Sequence, residues 1–135
     1  MTTFPLRCAS KFKPQRLLAR GGYGSVWLAI QEGLEREVAL KLLLPDVLDN
    51  PEAIARFKHE ARVTASLNHP GIVVVIDHDV EEGVPWIAYE YLPGGSLRRR
   101  LDLGTIPWRE VVQIGIQMCA ALEEMHGRGI LHRDI

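Results

Sequence analysis

β-prone residues fill Phe12 to Ala19 and again Ser25-Val26-Trp27-Leu28-Ala29-Ile30, and between them lies the glycine-rich Arg20-Gly21-Gly22-Tyr23-Gly24. A short glycine turn between two such runs reads as a hairpin. After the polar stretch Gln31 to Arg36, Glu37-Val38-Ala39-Leu40-Lys41-Leu42-Leu43 resumes as a third strand. Asn50-Pro51-Glu52 joins a capping asparagine, a proline suited to the first helical position and an acid in the first turn, which predicts a helix from there to about Leu67. Its apolar stripe, Ile54, Phe57, Ala61 and Ala65, recurs at helical spacing and is expected to face a sheet, and Asn68-His69-Pro70-Gly71 ends it. Ile72-Val73-Val74-Val75-Ile76 and Val84-Pro85-Trp86-Ile87-Ala88-Tyr89 are two further β-rich runs around the acidic turn at Glu81-Glu82-Gly83. Beyond Pro93-Gly94-Gly95 the period becomes helical. Ser96 suits the cap of a short helix, and Pro107 the first turn of a longer one reaching Gly127, whose buried stripe is predicted to be Val111, Ile114, Met118, Leu122 and Met125. Five strands with one helix, followed by two more helices, define an α+β chain.

Composition narrows the picture. With 135 residues, 47% of them hydrophobic, the chain can bury a core, and its net charge of −1 gives no electrostatic attraction to nucleic acid or to an anionic membrane. No apolar run approaches the ~20 residues of a membrane helix, so the segment is expected to be soluble and cytoplasmic, with a membrane anchor elsewhere in a longer parent left open. Cys8 and Cys119 lie far apart without metal-ligand spacing; both read as reduced thiols, Cys119 as a small core residue of the long helix. His59, His69, His78 and His126 are scattered and carry structural or surface readings, and Arg98-Arg99-Arg100 reads as a solvated helix face.

Two features carry candidate chemistry. Gly21, Gly22 and Gly24 suit any tight hairpin, but a strand follows them rather than a helix, which excludes a Walker loop or a dinucleotide-binding turn. A hairpin flap of this kind can lie over a triphosphate with its backbone N–H groups close to the ligand. Lys41 places an ammonium in an otherwise apolar strand, where an unpaired charge is costly, and Glu60 lies at the edge of the helix stripe beside Phe57. The two either form an ion pair, or stand separately as an edge lysine and a surface glutamate.

From Leu18 to Ile135 these motifs, in this order, resemble the catalytic domain of eukaryotic-like, bacterial-type serine/threonine protein kinases. Ala19-Arg20-Gly21-Gly22-Tyr23-Gly24-Ser25-Val26 looks like the nucleotide loop, Val38-Ala39-Leu40-Lys41 like the third-strand lysine motif, Glu60 like the helix-C glutamate and His132-Arg133-Asp134 like the catalytic-loop triplet. Leu67 to Val73 and Glu90-Tyr91-Leu92-Pro93-Gly94-Gly95-Ser96-Leu97 look like the turn after helix C and the hinge. The resemblance implies an N-terminal extension at 1–11, a nucleotide lobe and hinge at 12–92, and helices D and E with the start of the catalytic loop at 93–135. It implies ATP as cofactor, with Mg2+ in the complete enzyme, and a protein serine or threonine hydroxyl as acceptor. Leu18, Val26 and Ala39 would roof the adenine, the backbone of Glu90 and Leu92 would hydrogen-bond its edge, and Tyr89 would be the gatekeeper. Lys41, held by Glu60, would contact the α- and β-phosphates, and Asp134 would accept the substrate proton. His132 would pack and hydrogen-bond, while Arg133 would meet an activation-loop phosphate.

The sequence departs from the family pattern at two places. Ala19 stands where the loop's first glycine is usual. The magnesium-binding asparagine and the Asp-Phe-Gly motif, which follow the catalytic aspartate in the family, lie past Ile135, so the chain is expected to be a truncated kinase domain that is inactive alone. The alternative is a non-catalytic kinase-like module that binds nucleotide or a partner protein.

Overall fold

The computed structural model describes residues 10–132. Five strands form one antiparallel sheet in the order β1-β2-β3-β5-β4: β1 Phe12–Arg20, β2 Gly24–Gln31, β3 Arg36–Leu43, β4 Val75–Glu81 and β5 Val84–Glu90. The first three form a meander, β4 and β5 form a hairpin, and β5 joins the two by pairing with β3, Ala39 opposite Tyr89 and Lys41 opposite Ile87. Pro14 sits in β1, an edge strand, where a missing N–H costs no ladder bond on the open side.

Side-chain alternation splits β3 between two cores. Val38, Leu40 and Leu42 point to one face and pack with Phe12, Ala29, Trp86 and Ala88, the Phe12 and Trp86 rings meeting edge to face with centroids 5.4 Å apart. Ala39, Lys41 and Leu43 point to the other face, which α1 (Pro51–Ser66) covers through Ala53, Phe57 and Ala61. The cap read from the sequence is present: the Asn50 side-chain oxygen accepts hydrogen bonds from the N–H groups of Glu52 and Ala53 at 3.1 and 3.3 Å. Phe57 and Ala61 of the expected stripe are buried, and the stripe differs only at its two ends. Ala53 is buried where Ile54 is only half-buried, and Ala65 is exposed in the last turn.

The fourth strand is displaced. It runs over Val75–Glu81 rather than Ile72 to Ile76; Ile72 instead closes a turn by donating its N–H to the His69 carbonyl at 3.0 Å. An edge strand needs only one ladder, so β4 accommodates Asp77, His78 and Asp79, which an alternation search rejects. A short 3-10 turn at Pro45–Val47, unheralded in the apolar pattern, leads from β3 towards α1. The β4–β5 hairpin closes through Glu82 and Gly83, both in the left-handed region at φ 52° and 79°.

The chain divides into two compact units, and the elements above belong to the first, which extends to Ser66 and includes Val73–Tyr91. The second contains Leu67–Ile72 and the residues from Leu92 onward, with α2 (Leu97–Asp102) and α3 (Trp108–Gly127). The Ser96 hydroxyl caps α2 by accepting from the Arg99 N–H at 3.1 Å. Pro107 precedes α3 as its cap residue instead of lying in its first turn. No residue of α3 is buried: Ile114, Leu122 and Met125 are half-covered, and Val111 and Met118 are exposed, contrary to the predicted buried stripe. Cys119 is also exposed rather than in a core, because the neighbouring Ile116 and Glu123 on adjacent turns face outward with it. Among the described residues no helix is long and apolar enough to cross a membrane.

Candidate active site

The sheet register assembles the site on the α1-covered face. Val26 pairs with Lys41 and Ala19 with Val26 across the meander, while Ala39 pairs with Tyr89 on the other side. Opposed residues of an antiparallel ladder point to the same face. Ala19, Val26, Ala39, Lys41 and Tyr89 therefore share the face that α1 covers, although they come from four strands.

At the centre, the Lys41 Nζ donates to both carboxylate oxygens of Glu60, at 2.9 and 3.0 Å. The pairing follows from local structure: alternation aims Lys41 at α1, and Glu60 lies one turn beyond Phe57, the residue that docks the helix. The ammonium also lies 5.8 Å from the centre of the Phe57 ring. Both partners keep partial contact with solvent, with side chains 31% and 41% exposed, so the ammonium remains accessible to a ligand. The Tyr89 hydroxyl donates to Glu60 Oε1 at 2.6 Å. Burial, and then this bond to a carboxylate, push the Tyr89 phenol well above its usual pKa.

Above Lys41 the β1–β2 connection is closed by the Gly21 N–H donating to the Gly24 carbonyl at 2.9 Å. Its glycines differ. A Cβ on Gly24 would lie 2.8 Å from the Leu42 carbonyl oxygen, so close strand packing demands glycine there. Gly21 and Gly22 have open space around the missing Cβ and no left-handed φ, so the fold itself does not require glycine at either. Arg20, Gly21, Gly22 and Tyr23 are exposed at the flap, and Ser25 is fully buried, accepting a hydrogen bond from the Trp27 indole N–H at 3.1 Å. Leu18, Val26 and Ala39 are half-buried.

Glu90 is anchored twice to Val74: its N–H donates to the Val74 carbonyl at 2.9 Å and its side chain accepts the Val74 N–H at 3.0 Å. The Glu90 N–H is thus unavailable to a ligand. Leu92 is exposed and belongs to the second unit. Asp134 and Arg133 lie outside the described residues, as does Cys8. In the second unit, Arg100 of the arginine run forms an ion pair with Glu110, and His69 accepts the Gly71 N–H at 2.9 Å, a structural role.

The Tyr89–Glu60 bond escaped the sequence reading. A signal for it exists in principle: a tyrosine in a strand as apolar as β5 needs an acceptor for its hydroxyl, and the nearest helix face offers Glu60.

A sheet of this order with a lysine–glutamate pair beneath a glycine hairpin defines a class, and the comparisons with known proteins agree. The chain belongs to the protein kinase domain family, which matches residues 12–135. It is 38% identical over 130 residues to serine/threonine-protein kinase pkn3 of Myxococcus xanthus, covering 94% of this chain and 24% of that protein. It is 37% identical over 133 residues to PknA of Mycobacterium tuberculosis, covering 94% and 31% respectively. Among solved structures it is similar to the Mycobacterium tuberculosis PknI kinase domain, with TM-score 0.78 and 32% identity over 93% of this chain and 51% of that one. The chain thus spans under a third of these curated relatives and about half of the solved kinase domain. The family as a whole uses ATP and Mg2+ and acts on protein hydroxyls.

Proposed function

We propose that residues 12–92 form the nucleotide lobe and hinge of a serine/threonine protein kinase and that 93–135 begin its second lobe. The carrying observation is the Lys41–Glu60 ion pair on the sheet face below the glycine flap. Lys41 takes the α- and β-phosphates of ATP, Glu60 holds the ammonium in place, and Leu18, Val26 and Ala39 receive the adenine. Gly21 and Gly22 fit that reading because neither steric room nor backbone conformation calls for glycine there, which leaves close approach of a ligand to the backbone as the reason. ATP supplies the transferable phosphoryl group; the chain's residues bind and orient it. Asp134 carries the role of base by its place in the His132-Arg133-Asp134 triplet, and the acceptor is a serine or threonine hydroxyl of a protein. The magnesium ligands of the family are not among these residues.

Equilibrium binding of ATP to the 135-residue chain, measured by titration calorimetry, tests the reading. Lys41→Met is expected to weaken binding by about tenfold or more, the scale of one charge-assisted contact. A wild-type chain that takes no nucleotide at millimolar concentration, or one whose affinity Lys41→Met leaves unchanged, would overturn it and favour a protein-binding module.

A further inference from the structure

Two donors meet at the Glu60 carboxylate, and only the Lys41 ammonium has a part in the proposed chemistry. The other is the Tyr89 hydroxyl, whose oxygen lies 2.6 Å from the same Oε1 that accepts Lys41 Nζ at 2.9 Å. Lys41 stands on β3 and Tyr89 on the adjacent β5, so one carboxylate of α1 is tied to two neighbouring strands. The two ties differ in kind. An ammonium on a four-carbon stem is a mobile point charge, and phosphate oxygens compete directly with Glu60 for it. A buried phenol is a stiff ring whose single donor is committed to Glu60, and as a neutral group it offers phosphates no charge to pair with. A phenylalanine would fill the same volume on β5, so the hydroxyl is not explained by packing.

We propose that Tyr89 is a positioning residue: its phenol O–H holds the Glu60 carboxylate, and with it α1, against the sheet independently of Lys41, so the ammonium can turn to an anionic ligand without releasing the helix. The raised phenol pKa, caused first by burial and then by the bond to Glu60, keeps the donor proton in place throughout the neutral range. The link to nucleotide binding rests on the function proposed above; the latch itself is present without any ligand and is tested without one.

The test compares amide exchange through α1 around Glu60 in the full chain for the wild type, Lys41→Met, Tyr89→Phe and the double variant. Lys41→Met alone is expected to leave these amides within about threefold of wild type, and adding Tyr89→Phe to speed them by about tenfold or more, with β2 and β3 unaffected. A double variant that exchanges no faster than Lys41→Met overturns the proposal. A second readout guards against a variant that fails to fold. A slowly exchanging phenolic proton is expected by NMR in both wild type and Lys41→Met and is lost in Glu60→Ala. Its absence from Lys41→Met, or its persistence in Glu60→Ala, shows that Tyr89 only packs. Should the wild type prove unable to bind ATP, the functional reading falls while these measurements still judge the latch.

Discussion

Gly24 and Leu42 lie so close across β2 and β3 that a Cβ on the glycine would come within 2.8 Å of the Leu42 carbonyl oxygen. A backbone oxygen inside a ladder cannot step aside as a side chain would. Gly24→Ala is therefore expected to destabilise the chain by about 1–3 kcal/mol, read as a lower urea midpoint at unchanged slope. Gly21→Ala and Gly22→Ala should stay within about 0.5 kcal/mol of wild type and weaken ATP binding instead. An equal stability loss at all three would refute the separation between a packing glycine and two ligand-facing ones.

Glu82 adopts a left-handed conformation at φ 52° with Gly83 beside it, the geometry of a two-residue hairpin turn. Asparagine or glycine tolerates that region better than glutamate. Glu82→Asn should raise stability by about 0.5–1 kcal/mol, and an unchanged or lower melting temperature at matched pH would refute it.

The Asn50 side chain satisfies two N–H groups at the start of α1. Asn50→Ala removes both bonds and is expected to cost about 1 kcal/mol, whereas Asn50→Asp retains the acceptor and should cost far less. Equal denaturation midpoints for Asn50→Ala and wild type would show that the cap is not needed.

Tyr89 also makes stability depend on alkaline pH. Its pKa is higher in the folded chain than in the unfolded one, so its contribution is complete below the ordinary phenol value of about 10 and declines as pH rises beyond it. Tyr89→Phe should flatten the stability profile above that point, relative to wild type, and leave its shape near neutrality unchanged. Parallel profiles for the two proteins up to the highest pH at which the fold persists would contradict the assignment.

Helix α3 presents Trp108, Val111, Val112, Ile116 and Met118 to solvent, with Trp108 71% exposed. An apolar face this extensive favours association. Sedimentation of the 135-residue chain should show self-association rising with concentration, and α3 amides should exchange faster than those of β2, β3 and β5. A strict monomer with slow exchange through Met125 would mean that α3 finds cover.

The sequence was most readable where one physical demand dominated. Runs of β-prone apolar residues marked β3 and β5, Asn50-Pro51 marked the start of α1, and the cost of an isolated ammonium in β3 pointed from Lys41 to Glu60. It was misleading where the signal was one-sided. Val73 and Val74 look more strand-like than Asp77 to Asp79, yet an edge position lets the polar residues take the ladder. The α3 stripe reports which residues are apolar, not whether another element covers them, so it predicts burial for Val111, Met118 and Cys119, all of which are exposed. Tyr89 was legible as a buried β5 residue, but its bond to Glu60 depends on how α1 docks, which no local pattern records.

The strand order β1-β2-β3-β5-β4 has a consequence for how the chain acquires its chemistry during synthesis. The first three strands and the β4–β5 hairpin are local structures, each able to form from neighbouring segments. Joining them requires β5 to find β3 across the whole of α1 and β4, the slow, non-local step in this topology. Lys41 leaves the ribosome long before Tyr89. Until Glu90 has emerged and β5 has paired with β3, Glu60 lacks its partner on β5 and the face that holds Lys41 lacks its neighbour strand. The Lys41–Glu60–Tyr89 cluster thus completes late and together with the final strand pairing, so a chain caught partway through folding would lack the arrangement to which nucleotide binding is assigned in the proposal above.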